Sequence, residues 1–443
     1  MHKSTILIVP AILVFLVFAG CAKGAFKAPP GSTGSSNGTL LLNIGDALPD
    51  QVLALEFTIN TAILTGGTNP VIISTPTRVE FIRNAAKFET VSISNLPAGT
   101  YTSLTLNLVS PLASIVDPVS HTVVQVGTTL TSSTAVVSLG SGVTVGSTPV
   151  TVNLEMNVGS SFFVSGNVGT LTPVFTVSIA NVGATQDDSS GQFDNIKGRV
   201  TASSGAGITI QPSNSAQPFA FAINSSTQFR NGTTAVAVGA IATIEGVTQN
   251  DGSLLARQVE SEAAGSTGSE VEGIVTSITG NPATSFTLVA QSTIAANPAN
   301  APVTSSTITA TPTATAQFST QSSTISGALP PFDATTLAVG QRVEVASEVQ
   351  SPSITAATGD RIKLQEQALG GTIANLGAGG FTLLLPADSF LTTLTGVTSV
   401  NVTTTATTQN KFGTLSNGAA VRVRGLLFFG APGYTLVASR VAP

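Results

Sequence analysis

A glycine followed by a period-two run of residues recurs three times in the second half of the chain and limits what that half can fold into. The copies are Gly239 before Ala242 and Ile244, Gly340 before Val343 and Val345, and Gly418 before Val421 and Val423. Such alternation is typical of a half-buried strand, and the leading glycine suits a tight turn. Three matching copies predict three tandem small β-domains.

The three units share further features. Each opens on a glycine-bearing segment (196–200, 271–275 and 369–373), continues to an apolar strand, and later contains a polar stretch with Phe (227–229, 316–318 and 410–412). Gly246 and Gly425 follow the alternating run in units one and three, whereas unit two has Ser347 there and a Thr/Ser/Ala-rich insertion at 295–324. The predicted domains are 194–262, 269–366 and 367–443. We expect each to form a small closed or partly open β-barrel, since closure removes exposed strand edges.

This pattern of an opening glycine, a Thr-x-Phe step and a Gly-x-x-Val-x-Val-x-Gly strand resembles family 5666 of domains of unknown function. Unit one carries it with Gly198, Phe229, Gly239 and Gly246, and unit three carries it in a similar form. Unit two departs from it at Ser347 and in the insertion. The resemblance implies no known activity.

The preceding region, 39–184, is predicted to be a β-sandwich. Thr and Val favour strands, and the 43 glycines and 23 prolines suit the turns between them. No long run after the N-terminal segment has helical periodicity, so we predict an all-β chain. The strand candidates, which we expect to pair antiparallel, are 52–59, 71–73, 90–93, 104–108, 123–126, 135–139, 150–154, 162–168 and 175–179.

Three motifs of this region resemble family 4382 of domains of unknown function. They are the turn 46–50 after the first strand, the strand 57–59, and the turn 96–101 that leads into residues 104–106. The resemblance covers about 38–180 and implies a secreted β-domain that often occurs on lipoproteins, without an assigned activity.

The N-terminus reads as an export signal. A short basic start precedes the apolar run 4–18, and the single cysteine, Cys21, follows Phe18, Ala19 and Gly20. This ending resembles a bacterial lipobox, which implies acylation of Cys21 after cleavage and a membrane anchor for an exported protein. Residues 22–38 would be a flexible tether, and Ala22 favours the outer membrane or the periplasmic face over the inner membrane. An uncleaved transmembrane anchor is the alternative, although the run is short for one and contains Pro10.

Groups that perform catalysis are scarce. The expected mature chain keeps one histidine, His121, in the loop-like stretch 117–121. A triad of Ser120, His121 and Asp117 can be written, but proximity in sequence is not triad geometry, and a solvated histidine is the better interpretation. Zinc sites usually need several His or Cys ligands, which this sequence lacks. We therefore predict no catalytic residues, no metal and no cofactor.

Carboxylate sites stay open as alternatives. Asp187, Asp188 and Asp194 surround Gly191 and could approach a calcium ion, although a solvated linker is favoured because the spacing is not that of an EF-hand. Asp46 and Asp50 are expected to cap a turn. Five glutamates (Glu245, Glu260, Glu262, Glu270 and Glu272) fall near domain joints without forming an evident catalytic pair. The glycine-rich stretches lack the Lys-Ser/Thr of a phosphate-binding loop.

Composition narrows the function further. Charged residues make up 9% of the chain without a basic cluster, which argues against nucleic acid as a partner. The lack of Trp and the presence of only two Tyr disfavour glycan binding through stacked rings. We expect a non-catalytic, lipid-anchored envelope protein that acts as a scaffold, adhesin-like or protein-interaction module with a protein or surface-polymer partner. The alternatives are a ligand- or glycan-binding lipoprotein that serves a transporter or hydrolase and, more remotely, a carboxylate-dependent hydrolase.

Overall fold

The prediction of an all-β chain is confirmed by a computed structural model. It describes residues 37–47, 51–183, 187–230, 236–263, 269–295, 303–312, 314–321, 325–350, 353–356 and 361–443, and nearly all regular structure there is strand. The lipobox 18–21, Asp50 and the side chains of Asp46, Glu262 and Ser347 lie outside what is described. Within the described ranges, no helix has both the length and the apolar character needed to cross a membrane.

The N-terminal part is a β-sandwich of twelve strands and one short helix. Its elements are β1 (Asn37–Ala47), β2 (Val52–Thr65), β3 (Val71–Ile73), β4 (Thr77–Glu80), β5 (Phe88–Pro97), β6 (Gly99–Val116), β7 (Val123–Leu130), β8 (Thr134–Val145), β9 (Val150–Asn157), α1 (Val158–Ser161), β10 (Phe162–Ser165), β11 (Val168–Leu171) and β12 (Phe175–Asn181).

Two sheets enclose the core of the sandwich. The smaller has the order β12-β9-β1-β5; the larger has the order β10-β11-β7-β6-β2-β3, with β4 beside β2 and β8 beside β6. Alternate apolar residues such as Leu42, Phe57, Leu106 and Val152 meet between them, as the period-two pattern predicts. The expectation of wholly antiparallel pairing is wrong, since β1 pairs with β9 and β11 pairs with β7 in parallel.

Two local predictions meet different outcomes. The segment 162–168, predicted as one strand, folds instead as the hairpin of β10 and β11, because Gly166 adopts a φ of 60° at the turn. Ala98 forms a bend between β5 and β6, which lie in different sheets, so the predicted reversal of the chain at 97–99 stays a prediction. Tyr101 is buried beside this bend and donates a hydrogen bond of 2.8 Å to the carbonyl oxygen of Pro97.

Three groups of strands follow, which we name repeats 1, 2 and 3. Repeat 1 contains β13 (Gln192–Ser204), β14 (Gly207–Pro212), β15 (Phe219–Ala222), β16 (Gln228–Arg230), β17 (Ile241–Thr248) and β18 (Leu254–Ala263). Repeat 2 contains β19 (Ser269–Thr279), β20 (Ser285–Ile294), β21 (Thr307–Pro312), β22 (Gln317–Thr320), β23 (Arg342–Gln350), β24 (Ser353–Ala356) and β25 (Arg361–Leu364). Repeat 3 contains β26 (Glu366–Gly377), β27 (Gly380–Leu384), α2 (Phe390–Thr395), β28 (Ser399–Asn410), β29 (Ala420–Gly430) and β30 (Gly433–Ala442).

Each repeat contains a ring of five paired strands. The rings run β13-β14-β15-β18-β17, β19-β20-β21-β24-β23 and β26-β27-β28-β30-β29. The last is a closed barrel, and the other two close through the pairs β15–β18 and β19–β23. The expectation of small barrels is confirmed. The predicted domain boundaries stay predictions, because Ser35–Pro443 forms one compact unit.

Glycines hold corresponding positions in the three rings. Gly239, Gly340 and Gly418 have φ angles of 90°, 87° and 86°, and their N–H groups donate to Val200, Val275 and Ile373 of the opening strands. At the opening glycines, a Cβ atom would overlap the carbonyl oxygen of the neighbouring strand (Gln211 at Gly198, Val289 at Gly273, Leu384 at Gly371). The glycines are therefore required by left-handed backbone at one place and by close strand approach at the other.

The insertion predicted at 295–324 is part of the ring in repeat 2. Strand β21 lies within it and pairs with β20 and β24, as β15 pairs with β14 and β18 in repeat 1. Strand β22 lies within it as well and pairs in parallel with β25. The interpretation of the whole segment as an exposed hairpin or loop is thus wrong for these strands.

We predict that Gly371→Ala destabilises the protein by about 1–3 kcal/mol, because the new methyl group must displace the backbone of β27. Gly379→Ala in the same repeat is the matched control, since nothing lies within 4 Å of its Cβ position. Urea unfolding of both variants measures the difference. Equal midpoints would contradict the role given to the opening glycine.

Candidate functional site

The sandwich and the repeats share apolar contacts. Leu53 and Val116 of the sandwich belong to one buried cluster with Ile274 of repeat 2 and Leu369 of repeat 3. Leu426 of repeat 3 joins the core of repeat 2. The ring interiors therefore continue into the interfaces, and the polar groups beside these interfaces are buried as well.

The loop between β4 and β5, residues 81–87, is the centre of these interfaces. Local turns shape it, with Asn84 N–H donating to Phe81 and Lys87 N–H donating to Asn84, and Ala86 has a φ of 60°. Glu80 fixes the start of the loop by accepting hydrogen bonds from the N–H groups of Leu55 (3.0 Å) and Arg83 (2.6 Å). Burial raises the pKa of Glu80 to about 7, although these two hydrogen bonds lower it.

Three arginines of repeats 2 and 3 hold the backbone of this loop. Arg424 donates to the carbonyl oxygens of Arg83 (3.3 Å) and Ala85 (3.0 Å), and Arg342 also donates to Arg83 (3.3 Å). Arg440 donates to Ala86 at 3.0 Å. Each guanidinium supplies several donors in a fixed geometry, so one side chain can bind carbonyls of the loop and also a carboxylate of its own.

The carboxylate partners surround the loop. Arg342 pairs with Glu272, Arg424 pairs with Glu366 (3.3 Å), and Arg440 pairs with Asp188 (2.5 Å). Within the loop itself, Arg83 pairs with Glu89 of β5 at 2.6 Å.

Three further ion pairs join repeat 1 to repeat 2. Lys197 bridges Glu270 (3.0 Å) and Glu344, and Lys363 pairs with Glu260 (2.9 Å). We call this whole set, centred on the loop 81–87, the charged junction. It connects the sandwich with all three repeats.

The junction keeps its charges at neutral pH. Burial alone would raise the pKa of Glu344, but Lys197 and Lys363 lower it to about 2. Burial also opposes ionisation of Glu272, and Arg342 and Lys197 lower the pKa below its ordinary value. Burial lowers the pKa of Arg424 to about 10, with Glu366 acting against this shift. These groups are thus retained as ion pairs in a region where an unpaired charge is costly.

Besides Glu80, two titratable groups at or beside the junction have a pKa near neutrality. Burial, together with Arg424 and Arg83, lowers the pKa of Lys87 to about 7. Burial and the negative charge of Asp194 raise the pKa of Glu245 to about 7. Both side chains line a polar cavity of about 60 Å³, and Lys87 also lines neighbouring cavities of about 20 and 220 Å³.

The predicted acidic cluster is incorporated into this junction. Asp187 pairs with Lys411 at 2.7 Å, Asp188 is buried beside Arg440, and Asp194 accepts a hydrogen bond from Gln192. In the described part of the chain, no group of three or more His, Cys, Asp or Glu side chains is placed to hold a metal ion. The interpretation as a solvated linker is wrong for Asp188, which is 4% exposed, whereas Asp187 and Asp194 are half-buried.

The predicted loop histidine lies elsewhere. His121 is exposed, and its Nδ1 donates to the carbonyl oxygen of Thr393 in repeat 3 at 2.7 Å. The Asp117 carboxylate accepts hydrogen bonds from the N–H groups of Val119 and Ser120. These bonds lower the pKa of Asp117. The geometry is that of a capped turn and not of a Ser-His-Asp triad.

Sequence reasoning located some members of the junction and missed others. Glu245, Glu260, Glu270 and Glu272 were expected near domain joints, and there they lie. The cations that pair with them were not singled out, nor was the loop 81–87. The available signal is the stretch of Arg83 and Lys87 between two apolar strands, in a chain where charge is sparse.

A second feature is an apolar groove on the sandwich. Strands β8 and β12 flank a groove of about 490 Å³; β12 ends the smaller sheet, and β8 pairs with β6 beside the path of the larger sheet. Its lining residues within the described ranges are all uncharged: Ala135, Val136, Val137, Ser138, Leu139, Gly140, Pro173, Phe175, Val177 and Ile179. Val136 is 69% exposed and Ile179 is 40% exposed, so the lining presents large aliphatic side chains to solvent from both strands.

Comparison with known families gives one match. Residues 197–260 match the family described as a domain of unknown function (DUF5666), which covers most of repeat 1. The resemblance drawn for unit one is confirmed; those of units two and three, and that of 38–180 to family 4382, stay predictions. No curated protein matches the chain.

We predict that Arg424→Met destabilises the protein by roughly 3–5 kcal/mol, because it leaves Glu366 and the loop carbonyls buried without their donor. Arg422→Met on the same strand is the matched control. Its ion pair with Glu155 is more exposed, so a loss below about 1 kcal/mol is expected. Thermal or urea unfolding compares them, and similar losses would contradict the central role of the junction.

Proposed function

We propose that this is a non-catalytic, lipid-anchored protein of the bacterial cell envelope that binds a partner protein through the apolar groove of its sandwich. The groove carries the proposal. Two edge strands flank it, so its walls can offer both unpaired backbone groups and apolar side chains. An added strand would use both, as in β-augmentation.

The chemistry of the groove selects the occupant. Phe175 and Val177 pack against the sandwich core from one side and are partly exposed in the groove, together with Ile179. Alternate residues of β12 thus face the groove. An extended segment with apolar residues at alternate positions would match this spacing, and a charged segment would be desolvated without compensation. We therefore propose an extended, uncharged strand of an envelope protein as the occupant.

Strand edges are less available elsewhere in the repeats. Each five-stranded ring closes on itself, which uses the edges that a short open sheet would present. The charged junction holds the repeats against the sandwich and supports a scaffold of fixed geometry. Glu270, Glu272 and Glu260 are engaged in ion pairs with Lys197, Arg342 and Lys363, which argues against their use by a hydrolase and favours a non-catalytic function.

We predict that Ile179→Glu weakens partner binding at least tenfold while the fold is kept, because a carboxylate would be desolvated in the groove. A photo-crosslinking residue at position 179 in intact cells would first identify the partner. Peptide strands from that partner are then titrated against the variant.

Val119→Glu is the matched control for this experiment, since Val119 is 88% exposed on a loop and lies outside the groove. Unchanged affinity of Ile179→Glu, or equal crosslinking of the same protein from positions 119 and 179, would contradict the groove as the docking site.

Anchoring is the second part of the proposal. It rests on Cys21 and the preceding Phe18-Ala19-Gly20 in the sequence. More than one acyl chain is needed for stable membrane attachment, which a processed lipoprotein N-terminus provides. Ala22 follows the cysteine, and by resemblance to bacterial lipoproteins this residue favours the outer membrane or the periplasmic face over the inner membrane.

We expect Cys21→Ala to abolish lipoprotein maturation and to release the protein from the membrane fraction or leave its precursor unprocessed. Mass spectrometry of the N-terminus and fractionation measure this. A Cys21→Ala protein with the mass and membrane retention of the wild type would contradict the lipobox. The outcome is independent of the groove experiment, because the two sites share no residue.

A further inference from the structure

The cavity of about 20 Å³ within the charged junction has an unbalanced lining. Its lining includes six cationic side chains (Arg83, Lys87, Lys197, Arg342, Lys363 and Arg424) and three carboxylates (Glu260, Glu272 and Glu344). Five of the cations have ion-pair partners, of which Glu89, Glu270 and Glu366 lie outside the lining. Lys87 makes no ion pair with a described carboxylate.

Three donors at this cavity lack acceptors. The Nε–H groups of Arg83 and Arg342 are buried and have no hydrogen-bond acceptor among the described residues. The ammonium of Lys87 likewise has no acceptor within hydrogen-bond distance there. The three side chains belong to residues that are 8%, 4% and 8% exposed. A buried donor without a partner costs about 1–3 kcal/mol, and more when it is charged.

One acceptor at the cavity is also unpaired. The Oε1 atom of Glu344 has no donor, although its Oε2 atom accepts from Lys197 and from Gln365 (2.7 Å). A water molecule could serve this oxygen. It would leave the ammonium of Lys87 without a counter-ion beside the guanidiniums of Arg83, Arg342 and Arg424, because water carries no net charge.

We propose that this cavity binds one small inorganic anion of halide size, held by Lys87 and by the unpaired Nε–H groups of Arg83 and Arg342. The volume suits a single ion somewhat larger than water, since a cavity of about 10–15 Å³ already holds a water molecule. It excludes tetrahedral oxyanions such as phosphate or sulfate. The anion ties the loop 81–87 of the sandwich to repeat 2, and thereby strengthens the junction.

The same site explains the low pKa of Lys87. Burial and the guanidiniums of Arg424, Arg83 and Arg342 disfavour its charged form, and Glu89 opposes them. A bound anion would compensate the ammonium directly. Its binding is therefore coupled to the stability of the fold, because the site is assembled from chain segments that are distant in sequence.

The test measures thermal unfolding of the wild type at pH 6 and constant ionic strength while gluconate is replaced by chloride, bromide or sulfate. Chloride and bromide should raise the melting temperature until the effect saturates. Sulfate should change the melting temperature of the wild type by no more than it changes that of Lys87→Met, which reports the general salt effect. In Lys87→Met the halide response should disappear. The halide response should remain in Arg257→Gln, which removes an exposed cation outside the cavity.

Crystals grown with bromide provide a readout that does not depend on the variant folding. An anomalous peak beside Lys87, Arg83 and Arg342 would support the proposal. A water molecule at that position under saturating bromide, or an equal halide response in Lys87→Met and the wild type, would overturn it. The cavity and the groove share no lining residue, so a negative result in this experiment would not contradict the proposed partner binding.

Discussion

The structure depends on the capture of one sandwich loop by guanidinium groups. The loop 81–87 offers carbonyl oxygens that its own turns leave unpaired, and Arg342, Arg424 and Arg440 satisfy them. Hydrogen bonds between a charged donor and a carbonyl are stronger than neutral ones, and in a buried setting the loss of either partner is expensive. Because the donors come from repeats 2 and 3, the loop can adopt this environment only when the modules are together. The contact therefore acts on module arrangement as well as on stability.

Much of the fold was predictable because local rules decide it. Alternation specifies which face of each strand is buried, and the glycines at 198, 273 and 371 occur where the neighbouring backbone leaves no room for a side chain. The positive φ of Gly239 and its counterparts is likewise a local requirement that leaves a trace in the sequence. The hairpin at Gly166 was missed because the strand candidate 162–168 included the turn signal Ser165-Gly166-Asn167 between its apolar ends.

The charged junction was not predictable from the same rules. Arg342 and Glu344 occupy the polar positions of an alternating strand, where the pattern favours solvent exposure. In the folded chain they are 4% and 0% exposed, because another module covers that face. A period-two pattern distinguishes the two faces of a strand, but it contains no information on which part of the chain covers the polar face. Likewise, Asp188 follows a polar break typical of a linker, and only the tertiary fold brings Arg440 to it.

This distribution of charge gives the protein two kinds of surface with different consequences. Within the junction, charge specifies which modules meet, since a shifted arrangement would bury Glu272 or Arg424 without a partner. The described lining of the groove between β8 and β12 is uncharged, so selectivity for the proposed partner would come from the spacing of Phe175, Val177 and Ile179 and from backbone pairing. Modules held together by the charged junction, with an uncharged groove on one of them, are suited to binding an extended segment, because the protein loses little conformational entropy when the segment binds.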